Sequence, residues 1–378
     1  MRYRFSSFRM LKAPVTCLIA LIFCLVFVGC SSINISVGNS SGGSGTDGSG
    51  ITGGSGTTNS GPGITGSGVQ GVRVFVEPDA GDSVITGAIA GAKKTVLLEM
   101  YLLTERKVIN ALEETARRGV DVRVMLEQHP YGSGSVSPTE TLDRLKAAGV
   151  NAQSTNPAFA LTHEKGMVID GSTAYIMTAN FTAAALGSGS YTKNREYGII
   201  DTNTQDVQAV TDIFTADWNR NTPQISDPNL VVSPVNSRKD FTSLINSAHK
   251  TLLIEAEEMQ DSGIEQAISD AARRGVKVQV ILPSSRSSSS GGTTGGSNST
   301  GINAISHSGV QVAEDPRLYM HAKIIVVDGQ KAFVGSENIS TASLEHNREL
   351  GILVGDQNVL STLQQTFQQD WSDSHVVA

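Results

Sequence analysis

The chain repeats itself at the scale of a domain. ARRGVDVRVML at 116–126 returns as ARRGVKVQVIL at 272–282, and KTVLLE at 94–99 returns as KTLLIE at 250–255, both at an offset of 156 residues. The only two tryptophans, Trp218 and Trp371, each follow an aspartate near the end of their copy. Solenoid repeats recur every ~20–50 residues, so a period this long means two copies of one domain-sized unit. The first copy spans 71–220 and the second 228–378, joined by Asn221–Asp227, a linker rich in Asn, Pro and Asp.

Both copies carry the same series of elements. An amphipathic stretch (Ser83–Ala92, Phe241–Ala248) precedes an apolar strand (Thr95–Leu102, Thr251–Ala256). A helix follows (Val108–Arg118, Gly263–Arg274), and Gly119 or Gly275 takes the left-handed position after its C-cap. An alternating Val-x-Val strand comes next (Val120–Leu126, Val276–Leu282). Strand, helix and strand at this spacing predict a right-handed parallel βαβ unit and an α/β fold.

The next segments carry the chemistry. Residues 162–180 read THEKGMVIDGSTAYIMTAN, and 320–338 read MHAKIIVVDGQKAFVGSEN. His163, Lys165, Asp170, Thr178 and Asn180 match His321, Lys323, Asp328, Ser336 and Asn338 at a constant offset of 158. Asn-Arg-Glu then recurs at 194–196 and 347–349. His and Lys two residues apart on a strand project from one face. Asp-Gly signals a hairpin, whose return strand brings Asn180 or Asn338 back opposite the His-x-Lys end. Imidazole, ammonium, hydroxyl and carboxamide therefore converge at one mouth. Lys and Asn can hold phosphoryl oxygens, and an imidazole can attack phosphorus or carry a proton. Phosphodiester cleavage by covalent catalysis needs a nucleophile and a leaving-group acid. The duplication supplies two histidines.

This pattern resembles the phospholipase D superfamily, whose signature is His-x-Lys-x4-Asp followed by Gly-Ser-x-Asn. The second copy matches it from His321 to Asn338, while the first has Met177-Thr178 where Gly-Ser is expected. Met177 would crowd the first phosphate pocket if it faced it. The resemblance covers essentially all of 71–378. It implies two similar α/β halves, each a mixed β-sheet flanked by helices, packed about a pseudo-two-fold axis with both motifs in one site. It implies a monomer with an internal pseudo-dimer, a phosphohistidine on His163 with His321 as acid, and no metal or other cofactor. His163, Lys165, Asp170, His321, Lys323 and Asp328 would form the catalytic set. Thr178, Asn180, Ser336 and Asn338 would bind or orient phosphate, with Glu196 and Glu349 orienting the imidazoles. From the residues alone, Asp170 and Asp328 read as turn residues, and Glu257 and Glu258 as a solvated acidic edge. His129, His249, His307, His346 and His375 have no matching partner and are expected in solvent.

Composition limits the partners. All three cysteines lie in the first thirty residues, so the remainder has neither a disulfide nor a thiolate metal site. MRYRFSSFRMLK is a cationic opening, and the fifteen-residue apolar run after Pro14 has the length of a signal-peptide core rather than a membrane span. Phe27-Val28-Gly29-Cys30 resembles a bacterial lipobox. By that resemblance residues 1–29 are a signal peptide, and lipidated Cys30 anchors an exported protein to the cell envelope, at the outer membrane or cell surface. Residues 30–70, mostly Gly, Ser and Thr, read as a flexible tether. The net charge is −7, and the four basic residues of the first 29 leave −11 beyond them. Nucleic acid is therefore the less expected substrate.

Phospholipid or another phosphodiester is the expected substrate, with head-group hydrolysis of phospholipase D type as the leading reading. A secreted nuclease, a cardiolipin-synthase-like phosphatidyltransferase and a tethered binder with a dead site are the alternatives. A Gly/Ser tract at 284–301 and its shorter counterpart at 129–138 leave the C-terminal ends of corresponding strands, so both are expected at the rim of the cleft.

Overall fold

The structure, a computed structural model, describes residues 67–131, 136–284 and 298–378. The signal segment 1–29, Cys30, nearly all of the tether and residues 285–297 of the Gly/Ser tract lie outside the described residues. The folded body includes the end of the proposed tether: Val69 is buried and donates its N–H to the Leu353 carbonyl at 2.9 Å.

The first half contains β1 (Arg73–Glu77), α1 (Ser83–Gly91), β2 (Thr95–Met100), α2 (Arg106–Arg117), β3 (Asp121–Leu126) and α3 (Pro138–Ala147). It continues with β4 (Asn151–Ser154), β5 (Lys165–Ile169), β6 (Thr173–Met177), β7 (Asn194–Asp201) and α4 (Thr204–Trp218). The second half opens with β8 (Leu230–Ser233), α5 (Ser237–Asn246), β9 (Thr251–Ala256), β10 (Met259–Gln260), α6 (Ser262–Arg273) and β11 (Lys277–Pro283). Then come α7 (Ser299–Ser306), β12 (Gln311–Asp315), β13 (Tyr319–Met320), β14 (Lys323–Val327) and β15 (Lys331–Gly335). It ends with β16 (Ile339–Ser340), α8 (Thr341–Glu345), β17 (Glu349–Val354), α9 (Gln357–Asp373) and β18 (His375–Val376).

The sheets have the same plan. The first runs β1-β7-β6-β5-β2-β3-β4, with β13 added beside β7, and the second runs β18-β12-β11-β9-β14-β15-β17-β8. In each, the expected parallel pair (β2 with β3, β9 with β11) is extended by a third parallel strand. An antiparallel meander adds the hairpin strands β5–β6 or β14–β15. The fold is thus two similar mixed α/β halves. Gly119 and Gly275 adopt φ of 87° and 92° just beyond Arg118 and Arg274, as their C-terminal positions require.

The strand period of two decides what each face buries. Val96, Leu98 and Met100 of β2 pack under α1, α2 and α3, while Leu97 joins a core shared with the second half. Leu252 and Ile254 of β9 likewise face outward to α5 and α6, and Leu253 faces the shared core. Helices α4 and α9 contribute Val210, Phe214, Leu363 and Phe367 to that shared core. With both faces of each sheet covered, the central strands are mostly apolar, and β2 and β9 each bury one glutamate, Glu99 and Glu255. Among the described residues no helix is long and apolar enough to cross a membrane.

Candidate active site

The two halves exchange backbone hydrogen bonds just ahead of each motif. His163 donates its N–H to the Arg348 carbonyl at 2.8 Å, and Arg348 donates to Leu161 at 3.0 Å. Symmetrically, β13 pairs in parallel with the start of β7, Tyr319 opposite Asn194 and Met320 opposite Arg195. Each histidine segment therefore runs beside the Asn-Arg-Glu segment of the opposite half.

Side chains complete the exchange. His163 Nδ1 lies 2.9 Å from Glu349, and His321 Nδ1 lies 2.8 Å from Glu196. Each of these contacts crosses the interface between halves. Holding Nδ1 leaves Nε2 of both rings for chemistry. Asn194 donates to Glu196 at 3.0 Å and Asn347 to Glu349 at 3.3 Å. Arg195 bridges to Asp370 at 2.6 Å, and Arg348 to Asp217 at 2.7 Å, again crossing halves. Arg195, Arg348, Asp217 and Asp370 were not singled out from the sequence. Their signal was the aspartate before each tryptophan and the arginine inside each Asn-Arg-Glu.

The hydroxyls are placed differently from expectation. Thr178 donates to Glu196 at 2.6 Å and accepts from the Tyr197 N–H, so it fixes a carboxylate and does not line the mouth. Ser336 accepts the Leu350 N–H, and Ser343 is the residue that donates to Glu349, at 2.8 Å. Met177 packs in the first half's apolar core with Met167 and Phe181, away from any phosphate pocket. In the second half the same position must be Gly335, because a Cβ there would collide with the Gly351 Cα of the neighbouring strand.

Asp170 and Asp328 stand away from the histidines. They begin the hairpin turns at φ of 56° and 54°, at the far ends of β5 and β14 from the histidines. Seven residues of extended chain span roughly 20 Å. Asp170 accepts N–H groups of Lys93, Lys94 and Thr95 at 2.6–3.0 Å, and Asp328 those of His249, Lys250 and Thr251 at 2.8–3.0 Å. Burial opposes their charge, but these backbone donors still hold both below the usual carboxylate range.

The mouth itself is unsymmetrical. Lys165 and Lys323 are buried and each donates to the carbonyl of its own histidine, at 2.5 and 2.7 Å. Glu257 sits against the second motif: its Oε2 is 2.8 Å from Lys323 Nζ and 3.4 Å from both His321 Nε2 and Asn338 Nδ2. It is no solvated edge. The position 156 residues earlier is Tyr101, whose ring meets His163 edge-on at 4.7 Å and lies 5.2 Å from Lys165 Nζ. Asn180 and Asn338 are alike in one respect: both are buried, and among the described residues the Oδ1 of each is unpaired. Burial lowers the Lys165 pKa to about 7, with Glu349 opposing and Lys323 assisting. Burial also lowers the His163 pKa, against Glu349 and aided by Lys165 and Lys323. Lys323 of the second half is thus among the charges that act on His163 and Lys165 of the first.

The loops after β3 and β11 reach this cleft through their described ends. Tyr131 donates its N–H to the Tyr101 hydroxyl at 2.6 Å, and Asn298 donates to the Glu257 carbonyl at 2.9 Å. His129, His249, His307, His346 and His375 are all exposed.

Glu99, Glu164 and Asp217 bring carboxylate oxygens within 4.8 Å of one another in the shared core. Arg348 neutralises Asp217, and burial followed by Asp217 pushes Glu164 up to about 8. Shared protons fit these groups better than a cation does.

The duplicated fold and its crossed His–Glu pairs define a PLD-like chain. The family described as "Cardiolipin synthase, PLD-like domain" matches residues 85–218 and again 241–371, and the chain belongs to it. It is 23% identical over 321 residues to "Probable cardiolipin synthase" of Bacillus subtilis, covering 76% of this chain and 63% of that protein. It is 22% identical to cardiolipin synthase A of Pseudomonas aeruginosa, covering 80% of this chain and 67% of the relative. The chain thus spans about two thirds, or slightly less, of these relatives' length. Its fold is similar to phosphatidylserine synthase of Haemophilus influenzae (TM-score 0.64, 13% identity, 82% of this chain and 88% of that one). It is also similar to polyphosphate kinase of Porphyromonas gingivalis (TM-score 0.59, 17% identity, 79% of this chain and 46% of that one).

Proposed function

We propose that the protein transfers a phosphatidyl group from one alcohol to another, in the manner of a cardiolipin synthase. The observation that carries this is the pair of crossed contacts, His163 with Glu349 and His321 with Glu196, which tie the two motifs into one composite site through Nδ1 of each ring. His163 Nε2 forms a bond to phosphorus as the bond to the leaving alcohol oxygen breaks, and His321 gives that oxygen its proton. A second alcohol returns a proton to His321 and attacks phosphorus, and the P–N bond breaks. Lys165, Lys323, Asn180 and Asn338 hold the phosphoryl oxygens. Water at the second step gives phosphatidate instead, the hydrolysis that the sequence placed first. The names of the relatives support the alcohol as acceptor. Lipidated Cys30 would hold the enzyme at its substrate.

The test is incubation of the whole protein with phosphatidylglycerol vesicles and with DNA, chelator present, beside a His321→Asn variant. Cardiolipin and free glycerol from the wild type alone are expected. Phosphatidate without cardiolipin would make it a hydrolase, and cleavage of DNA alone would make it a nuclease.

A further inference from the structure

We infer that Glu257 is a specificity-determining residue, whose carboxylate fills the seat that a phosphoryl oxygen takes between Lys323, His321 and Asn338. An anion enters the second half only by exchanging with it.

Three donors converge on one oxygen. Lys323 Nζ at 2.8 Å, His321 Nε2 at 3.4 Å and Asn338 Nδ2 at 3.4 Å all face Glu257 Oε2. These are the residue types the duplicated motif provides for phosphate, and a carboxylate oxygen offers them the same charge and lone pairs. The other oxygen, Oε1, accepts from the Tyr319 hydroxyl at 3.1 Å. Burial works against this charge, but His321 and Lys323 hold Glu257 well below the usual carboxylate range.

The first half lacks this occupant. Tyr101 stands at the equivalent position, neutral, with its hydroxyl engaged by the Tyr131 N–H. Among the described residues no carboxylate is ion-paired with Lys165. The seats therefore differ: the one at Lys165 is open to an anion, and the one at Lys323 is already filled.

Vacating the second seat is a side-chain movement. Asn298 accepts the Met259 N–H and donates to the Glu257 carbonyl, both at 2.9 Å, so the backbone on either side is tied. A free phosphate ion has only its own charge with which to displace Glu257. A phospholipid phosphoryl also engages Lys165 and His163 and brings the binding energy of the rest of the lipid. Glu257 thus selects against small anions and for the tethered diester.

This rests on the phosphodiester reading for its purpose, but occupancy of the seat is measured without turnover. Inorganic phosphate is titrated calorimetrically into the full chain, and soluble dihexanoyl-phosphatidylglycerol serves as a second ligand. Glu257→Gln and Glu257→Ala should bind phosphate about tenfold more tightly, while Glu257→Asp stays near wild type and the short-chain lipid gains less. Phosphate binding no tighter in either Gln or Ala variant, at unchanged melting temperature, would overturn the inference. Tighter phosphate binding in a protein that transfers no phosphatidyl group would retain the seat and sink the proposed reaction.

Discussion

His163 takes its orienting carboxylate from Glu349, 186 residues further along the chain and 2.9 Å away. The mirror contact joins His321 to Glu196. Neither histidine finds its Nδ1 carboxylate in its own half, so the duplication yields one composite site rather than two. The arginines behind the glutamates repeat the exchange through Asp370 and Asp217.

The two glutamates should be separable by substrate. Glu349→Gln deprives His163 of its orientation and should slow transfer about 10²–10⁴-fold, whatever the leaving group. Glu196→Gln acts on His321, so a p-nitrophenyl phosphodiester, whose leaving group needs no proton, should recover most of the rate. Steady-state rates on natural and activated substrates check this. An equal deficit of Glu196→Gln on both would remove His321 from the acid role.

The pH profile of kcat/KM reports groups of the free enzyme. His163 must be neutral to attack, and its lowered pKa sets the rising limb below the ordinary value of 6.5. Lys165 must be charged to hold phosphate, and with its pKa brought to about 7 the profile should fall above that pH. A plateau extending to pH 9 would show that Lys165 carries its charge at ordinary strength.

Stability should fall as pH rises. Burial raises Glu164 to about 8, far above its value in an unfolded chain. Its contribution is complete below about pH 4.5 and is lost as pH climbs through 8, because the unfolded state releases the proton first. Glu164→Gln removes this loss. The variant should gain on the order of a few kcal/mol at pH 8 and little at pH 4, read by denaturant titration. A gain independent of pH would mean that Glu164 is not protonated in the fold.

Asp170→Asn and Asp328→Asn test the turn assignment. Each loses a charged acceptor for three backbone N–H groups, which should cost about 1–3 kcal/mol of stability. Activity per folded molecule should stay near wild type. A selective loss of turnover with unchanged stability would return these aspartates to the chemistry.

Much of this was legible in one sequence because the information was repeated. The offsets of 156 and 158 marked the halves, the strands and the His-x-Lys ends, and the residue types pointed to phosphate chemistry. The crossing of Glu196 and Glu349 was not legible, since spacing along a chain does not say which half a carboxylate meets. Glu257 escaped for a related reason. Beside Glu258 on a strand end it looked like an exposed acidic pair, and only the register of β9 against β14 brings it to Lys323. Asp170 and Asp328 show the converse: Asp-Gly is legible as a hairpin turn, and both aspartates sit there with positive φ, at the ends of β5 and β14 away from the histidines.

The central claim is a covalent phosphoryl transfer at the composite site. The most direct measurement is rapid quenching of the enzyme with labelled phosphatidyl substrate, chelator present, followed by mapping of the modified peptide. A phosphoramidate on His163, labile to acid and absent from the His163→Asn variant, is predicted to form and decay at rates that match turnover. Multiple turnovers with no protein-bound label, or label confined to the peptide containing His321, would contradict it.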